Sequence, residues 1–124
     1  MDPADRTNPM SPLKRRVVLL AMTGSLAMIF MDSTVVGVAL PAIGESLGLG
    51  EQSVFWVVNA YLLTLASLIA IGGRIGDAIG KPLAFSIGVA VFAGSSLACG
   101  LAVDGTTLIA ARIGQAVGAV LMQP

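Results

Sequence analysis

The sequence predicts an all-α membrane protein whose helices cross the bilayer several times. Three observations carry that prediction. Of 124 residues, 56% are hydrophobic and 11% charged, whereas soluble domains run near 45–50% apolar and about 25% charged. The seven basic and seven acidic residues cancel, with no histidine. The apolar residues gather in long runs separated by short polar connections. So few charges cannot clothe a domain of this size in a polar surface. Composition therefore excludes an ordinary soluble enzyme, a basic nucleic-acid binder and a disordered tail. The lone cysteine, Cys99, excludes an internal disulfide framework, and no Cys/His cluster is present for structural zinc.

The elements follow in chain order. Residues 1–16, with Pro3, Pro9 and Pro12 among scattered polar residues, predict a short cytoplasmic lead, disordered over 1–13. Residues 17–124 then form the membrane domain. The first helix runs from Val17 to about Leu40, broken only by Asp32. The second covers about 54–73 and the third 82–103, neither with a charge. The fourth begins near Thr106, contains Arg112 and runs to Pro124. Segments of about 20 residues match the roughly 30 Å hydrocarbon core at about 1.5 Å per residue. Lipid offers no partner for an open backbone, so the runs are helical. They also lack the alternation of a barrel strand.

Charge gives the sidedness. Arg6, Lys14, Arg15 and Arg16 precede the first helix, and Arg74 and Lys81 lie between the second and third. The connections after the first and third helices carry only Glu45, Glu51 and Asp104. Basic residues in short loops stay in the cytoplasm, which places the N-terminus and the 74–81 loop there. Lys14–Arg16 before an apolar run also has the look of a secretory signal, but three further spans favour a retained helix.

Within the helices, Ser86, Ala90, Gly94, Ala98 and Ala102 recur every fourth residue, and Ala110, Gly114 and Gly118 do the same. Small residues let helices approach closely where lipid removes any hydrophobic drive, so both stripes predict packing faces within the chain. Trp56 and Tyr61 are expected at the headgroup level near the outer end of the second helix. Cys99 reads as a small apolar filler, and Met22, Met28 and Met31 as adaptable packing.

Asp32 and Arg112 are the charges left inside the membrane. A mid-bilayer charge costs about 2.5–3.5 kcal/mol on insertion scales, so it faces a cavity or a partner. Asp32 lies roughly 12 Å below the outer end of its helix and Arg112 roughly 9 Å below the same side. Two arrangements satisfy them: a direct ion pair, or Asp32 as a proton- or cation-binding carboxylate in a polar cavity. Desolvation raises a carboxyl pKa and a nearby arginine lowers it, so its protonation would respond to cavity geometry.

The motifs then resemble a family. The stretch Met31-Asp32-Ser33-Thr34-Val35-Val36-Gly37-Val38-Ala39-Leu40-Pro41 resembles the first-helix signature of major facilitator superfamily drug/proton antiporters, closest to the fourteen-helix multidrug branch. Trp56-Val57-Val58-Asn59-Ala60-Tyr61 is similar to that branch's second helix. Gly73-Arg74-Ile75-Gly76-Asp77-Ala78-Ile79-Gly80-Lys81 resembles the superfamily's cytoplasmic loop signature. Arg112-Ile113-Gly114-Gln115-Ala116-Val117-Gly118-Ala119 resembles the fourth-helix motif, and Pro124 falls where the branch often has proline. Ala78, Pro82, Gly37 and Ala116 depart from the pattern; the first two leave the loop with fewer charges.

The resemblance implies the first four transmembrane helices of an N-terminal six-helix bundle, the rest of the transporter being absent. It implies a non-enzymatic, proton-coupled multidrug or small-molecule efflux antiporter in the plasma membrane, powered by the proton gradient without a cofactor or metal. Asp32, Arg112 and Gln115 would carry proton or cation coupling, with Gln115 one turn from Arg112. Gly73, Gly76 and Gly80 would turn the chain tightly, while Asp77 and Lys81 form a cytoplasmic gate against the second bundle. Its partners are the lipid bilayer, protons and a small-molecule substrate, with no nucleic acid. The alternatives are a small four-helix dimeric efflux transporter, whose membrane carboxylate would be a glutamate, and a non-transporting membrane subunit.

Overall fold

The computed structural model describes residues 10–123. Most of the expected lead and Pro124 lie outside them. The described chain forms four helices: α1 Pro12–Ser46, α2 Glu51–Ile79, α3 Lys81–Gly100 and α4 Gly105–Met122. All four are long and apolar enough to cross a membrane.

Each helix starts where local chemistry favours it. Ser11 caps α1, its side chain accepting from the Lys14 backbone N–H at 3.4 Å, and Pro12 opens the first turn where an N–H has no partner. Gly50 precedes α2, and Glu51 sits in its first turn, where the helix dipole favours an acid. Pro82 opens α3. Asp104 caps α4, its Oδ1 accepting from the Thr107 N–H at 2.7 Å. Hydroxyls within the spans return to their own helix: Ser25 donates to the Met22 carbonyl, Thr34 to Phe30 and Ser86 to Pro82.

The helix ends differ most from the sequence expectation in α1 and α2. α1 begins at Pro12, inside the expected lead, and continues beyond Leu40 through Pro41 to Ser46. Pro41 supplies no N–H to the preceding turn. Packing holds the helix together past it, because Ile43, Leu47 and Leu49 join Leu40, Val57 and Leu108 in one apolar cluster. α2 also runs through the expected 74–81 loop to Ile79. The connection narrows to Gly80, whose φ of +93° suits a residue without a Cβ. Gly73 and Gly76 are therefore helical, and the expected glycine-rich turn is made by Gly80 alone.

α4 packs chiefly against α3 and α2, whereas α1 touches its neighbours sparsely. Half of α4's apolar window is buried within the chain, against 6% for α1. The α3–α4 crossing rests on Gly88 and Gly118: a Cβ on Gly88 would lie 2.8 Å from the Gly118 carbonyl oxygen. Ser95 sits against Gly114 one turn further on. The packed face of α3 is thus Ala84, Gly88 and Phe92, all buried, while Ser86, Ala90, Gly94 and Ala98 of the expected stripe are exposed. On α4 the expected stripe holds at Gly114 and Gly118, and Ala110 is exposed.

Two apolar clusters divide the bundle along its length. One gathers Leu40, Val57 and Leu108 near the α1–α2 and α3–α4 connections. The other gathers Phe92, Ala119 and Met122, with Met28, Ile29, Leu65, Phe85 and Val89 against them. Between them on every helix lies a short interval: 30–39 on α1, 59–64 on α2, 93–98 on α3 and 110–118 on α4. Asp32, Tyr61, Arg112 and Gln115 fall in these intervals.

Candidate functional site

Asp32, Arg112 and Gln115 meet. Arg112 Nη1 donates to Asp32 Oδ2 at 2.6 Å and to Gln115 Oε1 at 2.7 Å. Gln115 Nε2 donates to Asp32 Oδ1 at 2.8 Å, closing a three-membered ring of side chains. Each carboxylate oxygen thus receives one donor. Arg112 and Gln115 share a face of α4 because they are three residues apart, and the similar depths of Asp32 and Arg112 bring them level. Both members of the α4 pair are buried, Arg112 at 3% and Gln115 at 1% exposure.

Of the two arrangements the sequence allows, the ion pair forms. Asp32 is nevertheless not sealed: its side chain retains 12% exposure against 3% for Arg112. It borders an open groove of about 360 Å³ lined by Met28, Met31, Val35, Phe92 and Ser96. Apart from Asp32 and Ser96 the lining is apolar, in contrast to the polar cavity the sequence suggests. Polar contact for the carboxylate comes from α4 instead.

Two further residues join the centre. Tyr61 is 3% exposed, and its ring lies under Arg112, the guanidinium carbon 4.3 Å from the ring centroid. The expectation of a headgroup-level Tyr61 is thereby overturned: α2 turns this ring toward α4, where a buried cation attracts it. Trp56 is exposed near the start of α2, edge-on to Phe55. Cys99 on α3 places its thiol 3.4 Å from Gln115 Oε1, so it touches the network as well as filling space. Tyr61 belongs to the second-helix motif, but nothing in that motif points to a cation, and no motif marks Cys99; only the fold brings Arg112 over the Tyr61 ring.

The loop-signature residues lie apart from this centre. Gly76 is buried, Asp77, Gly80 and Lys81 are exposed, and Gly73 is half-buried. Among the described residues Arg112–Asp32 is the only ion pair within 4 Å, so Asp77 and Lys81 do not pair with each other here. Among those residues no group of three or more His, Cys, Asp or Glu is placed to hold a metal.

The sequence profile of the Major Facilitator Superfamily matches residues 22–124. The MFS-type transporter EfpA of Mycobacterium tuberculosis is 43% identical over 106 residues, covering 86% of this chain and 20% of the relative. The cephamycin export protein CmcT of Amycolatopsis lactamdurans is 43% identical over 107 residues, 86% of this chain and 22% of the relative. The tetracenomycin C resistance and export protein of Streptomyces glaucescens is 38% identical over 118 residues, 94% of this chain and 22% of the relative. The chain spans about a fifth of the length of these curated relatives. With four apolar helices and a profile match over most of its length, this multi-pass membrane chain belongs to the major facilitator superfamily.

Proposed function

We propose that this chain forms the first four helices of a proton-coupled exporter of small molecules, a carrier rather than an enzyme. The observation that carries the reading is the Asp32 carboxylate, held at membrane depth by Arg112 and Gln115 yet still bordering an open groove. A proton arriving at Asp32 would cancel its charge and weaken the bond to Arg112, freeing the guanidinium to change partners. That couples a protonation to a rearrangement between α1 and α4. The printed names of relatives, export and resistance proteins for antibiotics, support small-molecule efflux.

In this reading the N-terminus and the α2–α3 connection face the cytoplasm across the plasma membrane, in accord with Lys14, Arg15, Arg16, Arg74 and Lys81 at one end of the bundle. The proton gradient supplies the energy. Asp77 and Lys81, exposed beside Gly80, are free to engage a gate in the helices that complete the transporter. The test is Asp32→Asn in the full-length protein, assayed by dye efflux from vesicles under an imposed pH gradient. Loss of gradient-dependent efflux with normal membrane insertion is expected; unchanged efflux would remove Asp32 from the coupling role.

A further inference from the structure

Arg112 is held in an unusual way for a buried arginine. Both of its hydrogen bonds leave from Nη1, and its buried Nε has no partner. A fork-like, two-nitrogen grip on the carboxylate, the common arrangement for arginine, is absent. The guanidinium carbon instead lies over the Tyr61 ring, 4.3 Å from its centroid. The Tyr61 hydroxyl is itself buried without a partner. A buried hydroxyl left unpaired is costly, so the hydroxyl does not account for the position of this side chain. The ring does.

Every helix packed around Arg112 contributes one group that faces the centre. α1 contributes Asp32, α2 Tyr61 and α3 Cys99, whose thiol reaches Gln115 Oε1; on α4 the companion of Arg112 is the neutral Gln115. Asp32 is the single acidic residue of this layer. When it takes a proton, the guanidinium keeps its full charge, and what remains to compensate it is the Gln115 carbonyl and the negative face of the Tyr61 ring.

We infer that Tyr61 is a positioning residue for Arg112: its ring retains the guanidinium when Asp32 is protonated, and so sets the pH at which Asp32 accepts its proton. The inference rests on the proposed role of Asp32 and adds a regulator to it. The ring favours the protonated state because in that state it is the main compensation left. In the ionised state the carboxylate shares the task. Weakening the ring therefore moves proton uptake to lower pH.

The test reads Asp32 directly, without requiring transport. Infrared difference spectra of the full-length protein in lipid, corrected with Asp32→Asn, follow the carboxyl C=O band of Asp32 against pH. Tyr61→Phe keeps the ring and is expected to leave the midpoint within a few tenths of a unit. Tyr61→Leu removes the ring and is expected to lower it by about one pH unit, since a desolvated cation–π contact is worth enough for such a shift. Phenylalanines carrying one, two and three fluorines at position 61 keep the ring's shape while draining its negative face. They guard against misfolding of the leucine variant and should lower the midpoint stepwise. No trend along the fluorine series, or an equal shift in Tyr61→Phe, overturns the assignment, as does an Asp32 band that never titrates. Efflux assayed in parallel separates the two readings: a fluorine trend with efflux indifferent to Asp32→Asn refutes coupling while retaining Tyr61 as the partner of Arg112.

Discussion

α1 and α4 each carry one charged side chain of the central ion pair, yet they are opposite kinds of helix. α1 is 35 residues long, roughly 50 Å, and exposes large apolar side chains such as Leu20, Phe30, Met31 and Val38 along its length. α4 is 18 residues long and buries Leu108, Ala116, Ala119 and Met122 against α2 and α3. The cation sits on the helix fixed by packing and the carboxylate on the helix with few contacts. This division suits the coupling role proposed for Asp32. In the proposed coupling role the cation has a permanent buried cradle, while Asp32 keeps an open side toward the groove.

The largest effect belongs to the α3–α4 crossing. Gly118→Leu would drive a side chain into the Gly88 carbonyl and the Phe92 backbone, and should destabilise the chain by more than about 3 kcal/mol. A Cβ on Gly37 of α1 meets nothing within 4 Å, so Gly37→Leu should be nearly neutral. Thermal unfolding of both variants in micelles, followed by circular dichroism, measures the difference; equal losses would erase the distinction between the two helices.

Next comes the ion pair itself. Arg112→Leu leaves the Asp32 carboxylate without its cation and should cost about 3 kcal/mol, because removing one partner of a buried pair strands the other. Adding Asp32→Leu should recover much of that loss. A double-mutant cycle that returns simple additivity would show that the pair carries no coupling in the folded chain.

A smaller effect is expected at Pro41. Replacing it with alanine restores a backbone donor within α1 and should stabilise the chain by about 1 kcal/mol, less than in a soluble helix because membrane helices tolerate proline better. An observed loss of stability would indicate that the proline shapes the packing of Leu40 and Ile43.

The smallest effect is at the start of α4. The Thr107 backbone N–H holds the exposed Asp104 carboxyl below its usual range. Its stabilising contribution is therefore complete above the ordinary carboxylate pKa and fades as pH falls through the lowered folded value. Unfolding midpoints of the chain and of Asp104→Asn, measured from neutral pH downward, should converge in acid; a constant gap would mean that the cap does not titrate.

Much of the fold was legible in the sequence because the bilayer enforces it. Runs near residues 17, 54, 82 and 106 mark helices, since each must satisfy its backbone across a thickness that varies little. Asp32 and Arg112 were legible for the same reason: charges at similar depth in apolar helices must find one another or water; Gln115 was legible only through the resemblance of the fourth-helix motif. The packing faces were not. The small residues Ser86, Ala90, Gly94 and Ala98 repeat as regularly as any contact stripe, yet α3 presents Ala84, Gly88 and Phe92 to its neighbours. In a helix that is apolar all round, polarity cannot point to the buried side, and steric fit to α4 chooses it. Gly73 and Gly76 show the same limit at the helix end, where packing extended α2 through residues whose composition reads as a turn.

From the sequence alone come the four apolar spans and the similar depths of Asp32 and Arg112, because insertion into a bilayer acts on single segments and single charges; whether the two pair or Asp32 faces a polar cavity stayed open until the helices were packed. The tertiary structure alone decided that Gly88 meets Gly118, that Asp32 borders a groove, and that Tyr61 lies under Arg112 rather than at the membrane surface. Those are relations between helices. They depend on which faces fit closely, and close fit follows from the shapes of side chains brought together in space, not from hydropathy along the chain.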